Sequence, residues 1–160
     1  MKLDLDRTPV GQSDLPIDGR LNLDFGTEGP GEVRVSGALR VDNLEGRCVV
    51  RGELAAIGRA SCDRCLGEFE LAFPVPVELV VLRDCEAEDT DADTLVVHQR
   101  SGVVDLAEAL REAAILAVPQ SRICRDDCRG LCARCGADLN AGDCGCEAEP
   151  FDPRWEGLPD

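Results

Sequence analysis

Ten cysteines stand in this chain of 160 residues, and eight of them fall into close pairs. Cys132-Ala133-Arg134-Cys135-Gly136 and Cys62-Asp63-Arg64-Cys65 are Cys-x-x-Cys pairs. Cys124 and Cys128 have three residues between them, and Cys144-Gly145-Cys146 is a Cys-x-Cys. Two residues between thiolates let both sulfurs reach one ion at about 2.3 Å while the backbone turns tightly. Gly136, just after the second sulfur, can take the left-handed conformation that such a turn often requires. Amides in the turn can donate to the sulfurs and spread their charge. Cys132, Cys135, Cys144 and Cys146 therefore form a candidate four-thiolate site of the closed structural type, with no position for a reacting water. Cys62 and Cys65 with Cys124 and Cys128 would make a second site, across 58 intervening residues, and spacing alone does not fix that pairing. The expected cofactor is zinc, one or two ions; an iron–sulfur cluster is the less favoured occupant of four thiolates. Cys48 and Cys85 stand alone and read as core or surface thiols.

Other chemistry is thinly represented. A lone Cys-x-x-Cys can be a redox pair, so a thiol oxidoreductase using Cys62 and Cys65 is one alternative function. A redox pair usually opens a helix, whereas this one lies in a β-rich stretch. The single histidine, His98, lies far in sequence from every clustered cysteine. No Ser-His-acid order, Gly-rich phosphate loop or His-Glu zinc motif is present, and the expectation is a protein that is not an enzyme and has no small-molecule substrate. Arg122, Arg125, Arg129 and Arg134 cluster among the late cysteines and are candidate RNA contacts. The competing reading, slightly preferred, is that they neutralise Asp126, Asp127 and the thiolates.

The elements that must position these groups are mostly strands. Apolar residues alternate at Leu3 and Leu5, at Leu21, Leu23 and Phe25, and from Val33 through Val35, Leu39 and Val41. Alternation resumes at Val49, Val50, Leu54 and Ala56, at Phe69, Leu71 and Phe73, and at Val77, Leu79 and Val81. Pro9, Gly11, Pro16, Gly19 and Gly26 suggest short strands broken by loops before residue 31. Pro74 and Pro76 suggest an edge strand or a bulge. Residues 84–93 hold six carboxylates in ten positions and read as a solvated loop, without the spacing or glycine of a calcium loop. A short strand, Leu95–His98, follows. One helix is expected over about 105–118: Asp105 can cap it with Glu108 three residues on, and Pro119 ends it. Leu106, Ala109, Leu110, Ala113, Leu116 and Ala117 form its apolar stripe. From 121 no apolar periodicity survives, and residues 124–146 hold six cysteines. Such a stretch needs a metal or cross-link to fold. The expected fold is α+β, mainly antiparallel β (a curled sheet or partial barrel), with one helix and a small C-terminal Cys-rich metal module. Residues 1–120 would form the body, and 121–160 a zinc-ribbon-like module and tail.

The totals agree with that picture. Hydrophobic residues make up 44% with only four Phe, one Trp and no Tyr, so the core must be aliphatic. No segment reaches the roughly 20 apolar residues of a membrane span, and Met1–Arg7 lacks a signal-type apolar stretch. A cytoplasmic protein is expected, with no membrane partner. There thiols stay reduced, which favours metal over disulfides. The net charge of −15, from 17 basic and 32 acidic residues, opposes generic attraction to phosphate backbones. Any RNA contact must be local, or made through a basic partner.

The order of the motifs carries a resemblance. Cys62-x-x-Cys65-Leu66 is followed by Val104-Asp105-Leu106, then Ile115-Leu116-Ala117-Val118-Pro119, then Cys124-x-x-x-Cys128-x-Gly130-Leu131-Cys132-x-x-Cys135-Gly136-x-Asp138-Leu139-Asn140, Cys144-x-Cys146 and Asp152-Pro153-Arg154. This resembles the YceD family, the large ribosomal RNA subunit accumulation proteins, over roughly residues 45–158. The resemblance implies a factor in large-subunit biogenesis that binds precursor large-subunit rRNA or a basic ribosomal protein, with the eight paired cysteines as its ligand set. Family members often have Pro where this chain has Ala133 and a smaller residue where it has Trp155; neither position is a ligand. Members also differ in how much of the Cys-rich tail they keep, which implies a stabilising add-on. A function of another class, an acidic protein-binding chaperone unrelated to rRNA, is the remaining alternative.

Overall fold

Five strands form one sheet in the order β2-β3-β4-β5-β6. The computed structural model describes residues 1–23, 31–44, 47–83, 95–99 and 101–146. The elements are β1 (Lys2–Asp4), β2 (Gly11–Leu23), β3 (Gly31–Leu44), β4 (Arg47–Ser61), β5 (Glu68–Leu82), β6 (Leu95–His98), β7 (Val103–Asp105) and α1 (Ala107–Ala117). β1 and β7 pair separately as a small two-stranded sheet. The architecture is α+β, mainly antiparallel β with one helix. The described strands do not close into a barrel, since β2 and β6 remain edges.

Four of the strands are longer than the punctuation of the sequence suggests. β2 runs unbroken through Pro16 and Gly19, where loops were expected. Proline is tolerated there because β2 is an edge with β3 as its sheet neighbour. Met1 packs over Gly19, within 3.4 Å of where a Cβ would stand. β5 likewise runs through Pro74 and Pro76, since β6 pairs only with Leu79–Leu82 and leaves the earlier part of β5 an edge. β3 and β4 continue through Gly37 and Gly52. Their ladder is interrupted between Gly37↔Leu54 and Arg40↔Arg51. Both glycines have positive φ, +150° and +152°, and a Cβ would meet Leu54 at 3.0 Å or Leu39 at 3.1 Å. The two leucines fold over the opposite glycines.

One strand departs from the expected antiparallel order: β6 is parallel to β5. Parallel neighbours need a connection of about a dozen residues or more, a length that 83–94 supplies. The acidic stretch 84–93, Cys85, Phe25, Gly26, Trp155 and Asp152–Arg154 lie outside the described residues. His98 is exposed at the end of β6.

Alternation puts one face of each strand into an aliphatic core (Leu23, Val35, Leu39, Val50, Leu79), and α1 covers it through Leu110 and Ala114. The helix contacts both β5 and β2, which are separated by two strands, so the sheet curls around it. Its start differs from the expected capping box. Leu106 is the N-cap, with no side-chain cap bond. Asp105 instead accepts from Ala107 N–H at 3.0 Å, and Glu108 pairs with Arg111 at 3.0 Å. The stripe also narrows: Ala109, Leu110, Ala113 and Ala114 are buried, whereas Leu116 is 82% exposed. At 100° per residue Leu116 lies about 90° round from the centre of the stripe and clears the sheet. Cys48 is a core thiol, donating to the buried Asn43 at 3.2 Å. No helix among the described residues is long and apolar enough to cross a membrane.

Candidate metal centres

The β4–β5 connection and the segment after α1 fold into the same turn twice. In the first, Cys62 N–H donates to Gly67 O at 2.9 Å and Leu66 N–H to Cys62 O at 2.9 Å. In the second, Cys132 N–H donates to Ala137 O at 2.8 Å and Gly136 N–H to Cys132 O at 2.9 Å. Each turn needs a left-handed residue directly after its second cysteine. Gly136 supplies it with φ +72°, but Leu66 does so with φ +59° and no other described non-glycine residue has positive φ. A left-handed L-residue costs roughly 1–2 kcal/mol. Open space surrounds the position of a Cβ at Gly136, so the cost there would be backbone alone. Gly136→Leu is expected to destabilise the loaded tail by about 1–2 kcal/mol. Leu66→Gly is expected to be neutral or stabilising by up to about 1 kcal/mol, since glycine returns part of the gain as unfolded-state entropy. Denaturant titration followed by tail amide exchange measures both; the opposite order of stability would refute the equivalence of the turns.

Eight sulfurs meet in two groups. Cys62, Cys65, Cys124 and Cys128 form an inner group, and Cys132, Cys135, Cys144 and Cys146 an outer one, with the sulfurs of each group all within 4.8 Å of one another. In the inner group Cys62 and Cys128 sulfurs are 3.8 Å apart, as are those of Cys65 and Cys124. An S–S bond would be about 2.05 Å. A tetrahedral ion with arms of about 2.3 Å would hold its sulfurs about 3.8 Å apart. The nine described cysteines are all free thiols, and each four-sulfur group can hold one metal ion.

The inner group is sunk between sheet and tail: Cys62 and Cys128 are buried. Asp63 N–H donates to Arg122 O at 2.8 Å, and Leu131 N–H to Arg64 O at 3.1 Å. Arg64 also donates to Cys128 O at 3.1 Å. Gly130 is needed at this seam: its φ is +72°, and a Cβ would stand 2.9 Å from Arg64 O. Burial raises the Cys62 thiol, but backbone N–H groups of Cys124, Cys65 and Arg64 outweigh it and draw the thiol down to about 6. Cys124 is pushed up to about 12 by burial and by the thiols of Cys128, Cys62 and Cys65. In the outer group the N–H groups of Cys135 and Arg134, then the Cys144 thiol, draw Cys132 down to about 6. Cys146 is pushed up to about 12 by the Cys135 and Cys144 thiols and by burial. Four sulfurs this close cannot all ionise without a counter-charge, and a divalent cation supplies one. Cys135 and Cys146 are exposed, so the outer group is the more open of the two.

The family model described as "Large ribosomal RNA subunit accumulation protein YceD" matches residues 50–160. The chain belongs to the YceD family. The YceD match includes both sulfur groups and both turns. An uncharacterised protein of Mycobacterium tuberculosis is 34% identical over 121 residues, 75% of this chain and 58% of that protein. An uncharacterised protein of Mycobacterium leprae is 30% identical over 123 residues, 76% of this chain and 56% of that protein. The chain thus spans less than two thirds of the length of these relatives. A plant relative, "Large ribosomal RNA subunit accumulation protein YCED homolog 1, chloroplastic" of Arabidopsis thaliana, is 35% identical over 55 residues, 34% of this chain and 17% of the plant protein. No solved structure matches.

Three arginines of the YceD tail are held by carboxylates, one across the seam to the β4–β5 connection and two within the tail. Arg122 pairs with Asp63 at 3.0 Å, Arg125 with Asp127 at 3.2 Å, and Arg129 with Asp143 at 2.6 Å. Arg134 contributes its backbone N–H to Cys132. Asp63 and Asn140, to which the sequence assigned no role, are structural nodes here. The Asp63 carboxylate accepts from Arg122 N–H at 2.7 Å, and the Asn140 oxygen accepts from Arg129 N–H at 2.9 Å. The sequence signals Asp63 only by its position inside a Cys-x-x-Cys, and Asn140 by its place in the Asp138-Leu139-Asn140 motif after the other.

Proposed function

We propose that this chain is a non-catalytic binding factor in biogenesis of the large ribosomal subunit, working in the cytoplasm, with two structural zinc ions holding its Cys-rich tail to a β-rich body. The observation that carries the reading is the YceD match across both sulfur groups. Zinc is favoured because four thiolates in a closed tetrahedron are its structural site. A multi-iron cluster places several metal and sulfide atoms between its thiolates, and sulfurs all within 4.8 Å suit a single ion better. The eight paired cysteines are the proposed ligands. Residues 1–120 are then the body and 121–160 the module.

A ribosomal protein is the favoured partner. The pairs made by Arg122, Arg125 and Arg129 commit charges that phosphate would otherwise attract. Each four-thiolate zinc centre adds a formal charge of about −2 to a chain already at −15. A basic protein suits that surface better than a phosphate backbone does. The oxidoreductase reading requires a free Cys62/Cys65 pair, whereas each sulfur faces a tail sulfur at 3.8 Å.

Depletion in a cell that carries the gene is expected to lower large-subunit rRNA relative to small-subunit rRNA. A chain with Arg125, Arg129 and Arg134 changed to Glu then separates the partners. Full rescue with co-purification of a basic ribosomal protein supports the protein contact, whereas failed rescue by the folded, metal-loaded variant supports precursor rRNA. Unchanged rRNA ratios on depletion overturn the proposal.

A further inference from the structure

The two sulfur groups are joined by more than the chain between them. Cys128 of the inner group and Cys132 of the outer are separated by Arg129, Gly130 and Leu131 alone. The loop between outer ligands Cys135 and Cys144 folds back over this bridge. Leu139 N–H donates to Gly130 O at 2.9 Å, and Arg129 donates to Asp143 at 2.6 Å, beside Cys144. Asn140 stands at the centre of the fold-back. Its side-chain oxygen accepts from Arg129 N–H at 2.9 Å and from the Arg125 guanidinium at 2.9 Å. Both partners can only donate, so the amide orientation is decided and its NH₂ must point the other way. There it donates to Asp138 at 2.7 Å and to the Cys128 sulfur at 3.6 Å.

We propose that Asn140 is a positioning residue that couples the two metal centres: the loop that the outer metal closes places an amide donor on Cys128, a ligand of the inner one. The inference rests on the proposal that both groups hold metal. A donor to a thiolate ligand stabilises its charged form, and loss of such an outer partner lowers metal affinity about 10- to 100-fold. Without the outer metal, the loop 136–143 loses the closure that holds Asn140 in place, and the donation lapses. Coupling in binding is reciprocal, so each metal tightens the other by the same factor. Asn140→Ala removes the donor. Asn140→Asp also presents a carboxylate to the thiolate and so weakens the inner site further.

The experiment uses the full chain loaded with zinc, with affinities read by competition against a chromophoric chelator. Wild type is expected to bind two ions. Asn140→Ala should weaken the inner ion about 10- to 100-fold, and Asn140→Asp at least as much. The pair Cys144→Ser/Cys146→Ser, which abolishes the outer site, should weaken the inner ion by a similar factor. Combined with Asn140→Ala, that pair should add little further loss at the inner site. Additive losses, or an unchanged inner affinity in Asn140→Ala, would overturn the coupling. Cobalt substitution supplies a readout that a merely loosened tail would not move. Removing a donor from Cys128 should shift the thiolate-to-cobalt charge-transfer band to lower energy, and an unshifted band would count against donation to Cys128. Wild type binding no metal would instead remove the metal reading itself, a distinct result.

Discussion

Cys128→Ser is expected to release one metal ion and detach the tail from the sheet while the body stays folded. Cys128 is 4% exposed, and its sulfur is 3.8 Å from that of Cys62. Serine keeps the size but not the soft thiolate that zinc prefers. Structural zinc contributes an apparent 10–16 kcal/mol or so in small metal modules, and residues 121–146 have little apolar burial to replace it. The loss should therefore be on the order of 10 kcal/mol for the tail. The body should keep most of its own stability, because its core is aliphatic and separate from the sulfurs. Metal analysis should fall from two ions to one at most. Amide exchange should accelerate at Asp63 and Leu131, whose N–H groups bond across the seam, while β3 and β4 remain protected. Cys135→Ser should differ: the outer ion is lost, but the Asp63–Arg122 contact persists. Retention of both ions by Cys128→Ser would remove Cys128 from the ligand set.

Leu110→Ala should cost about 2–5 kcal/mol in global stability, whereas Leu116→Ala should change it by less than about 0.5 kcal/mol. Leu110 is fully buried between α1 and the curled sheet, and truncation leaves a cavity that strands from β2 to β5 would have to collapse to fill. Leu116 is 82% exposed, so its removal takes little surface out of the core. Urea denaturation of the metal-loaded chain measures both, with the midpoint reporting stability when the slope is unchanged. Equal losses at the two positions would mean that the stripe expected from helical periodicity, Leu116 included, is the packed face after all.

Much of this molecule is written locally. Alternating Val and Leu set the inward faces of β3, β4 and β5, because side chains in a strand alternate strictly between two sides. Pro119 and the Leu106–Ala113 spacing placed α1 within a residue or two, because helical periodicity and the proline block are local effects. The pairing of each Cys-x-x-Cys, and the glycine after Cys135, follow from the reach of a tight turn. The family was legible too, in the order of motifs from Cys62 to Cys146.

Other features depend on residues far apart in the chain, and no local pattern contains them. Whether Pro16 and Pro74 break a strand depends on whether their blank N–H side meets a neighbour, and both lie on sheet edges. Gly37 and Gly52 are needed because each makes room for a leucine of the opposite strand. The parallel placement of β6 follows from where its chain returns to the sheet, not from its four residues. Which sulfurs share a cage was open from spacing, since Cys62 and Cys124 are remote in sequence; the fold brings the β4–β5 turn beside the segment that leaves α1. The same encounter sets Asp63 on Arg122, and the fold-back after Cys135 sets Asn140 on Cys128. By itself the sequence determined faces, turns and ligand types, which obey local geometry; the tertiary structure decided partners, because a partner is chosen only when distant segments meet.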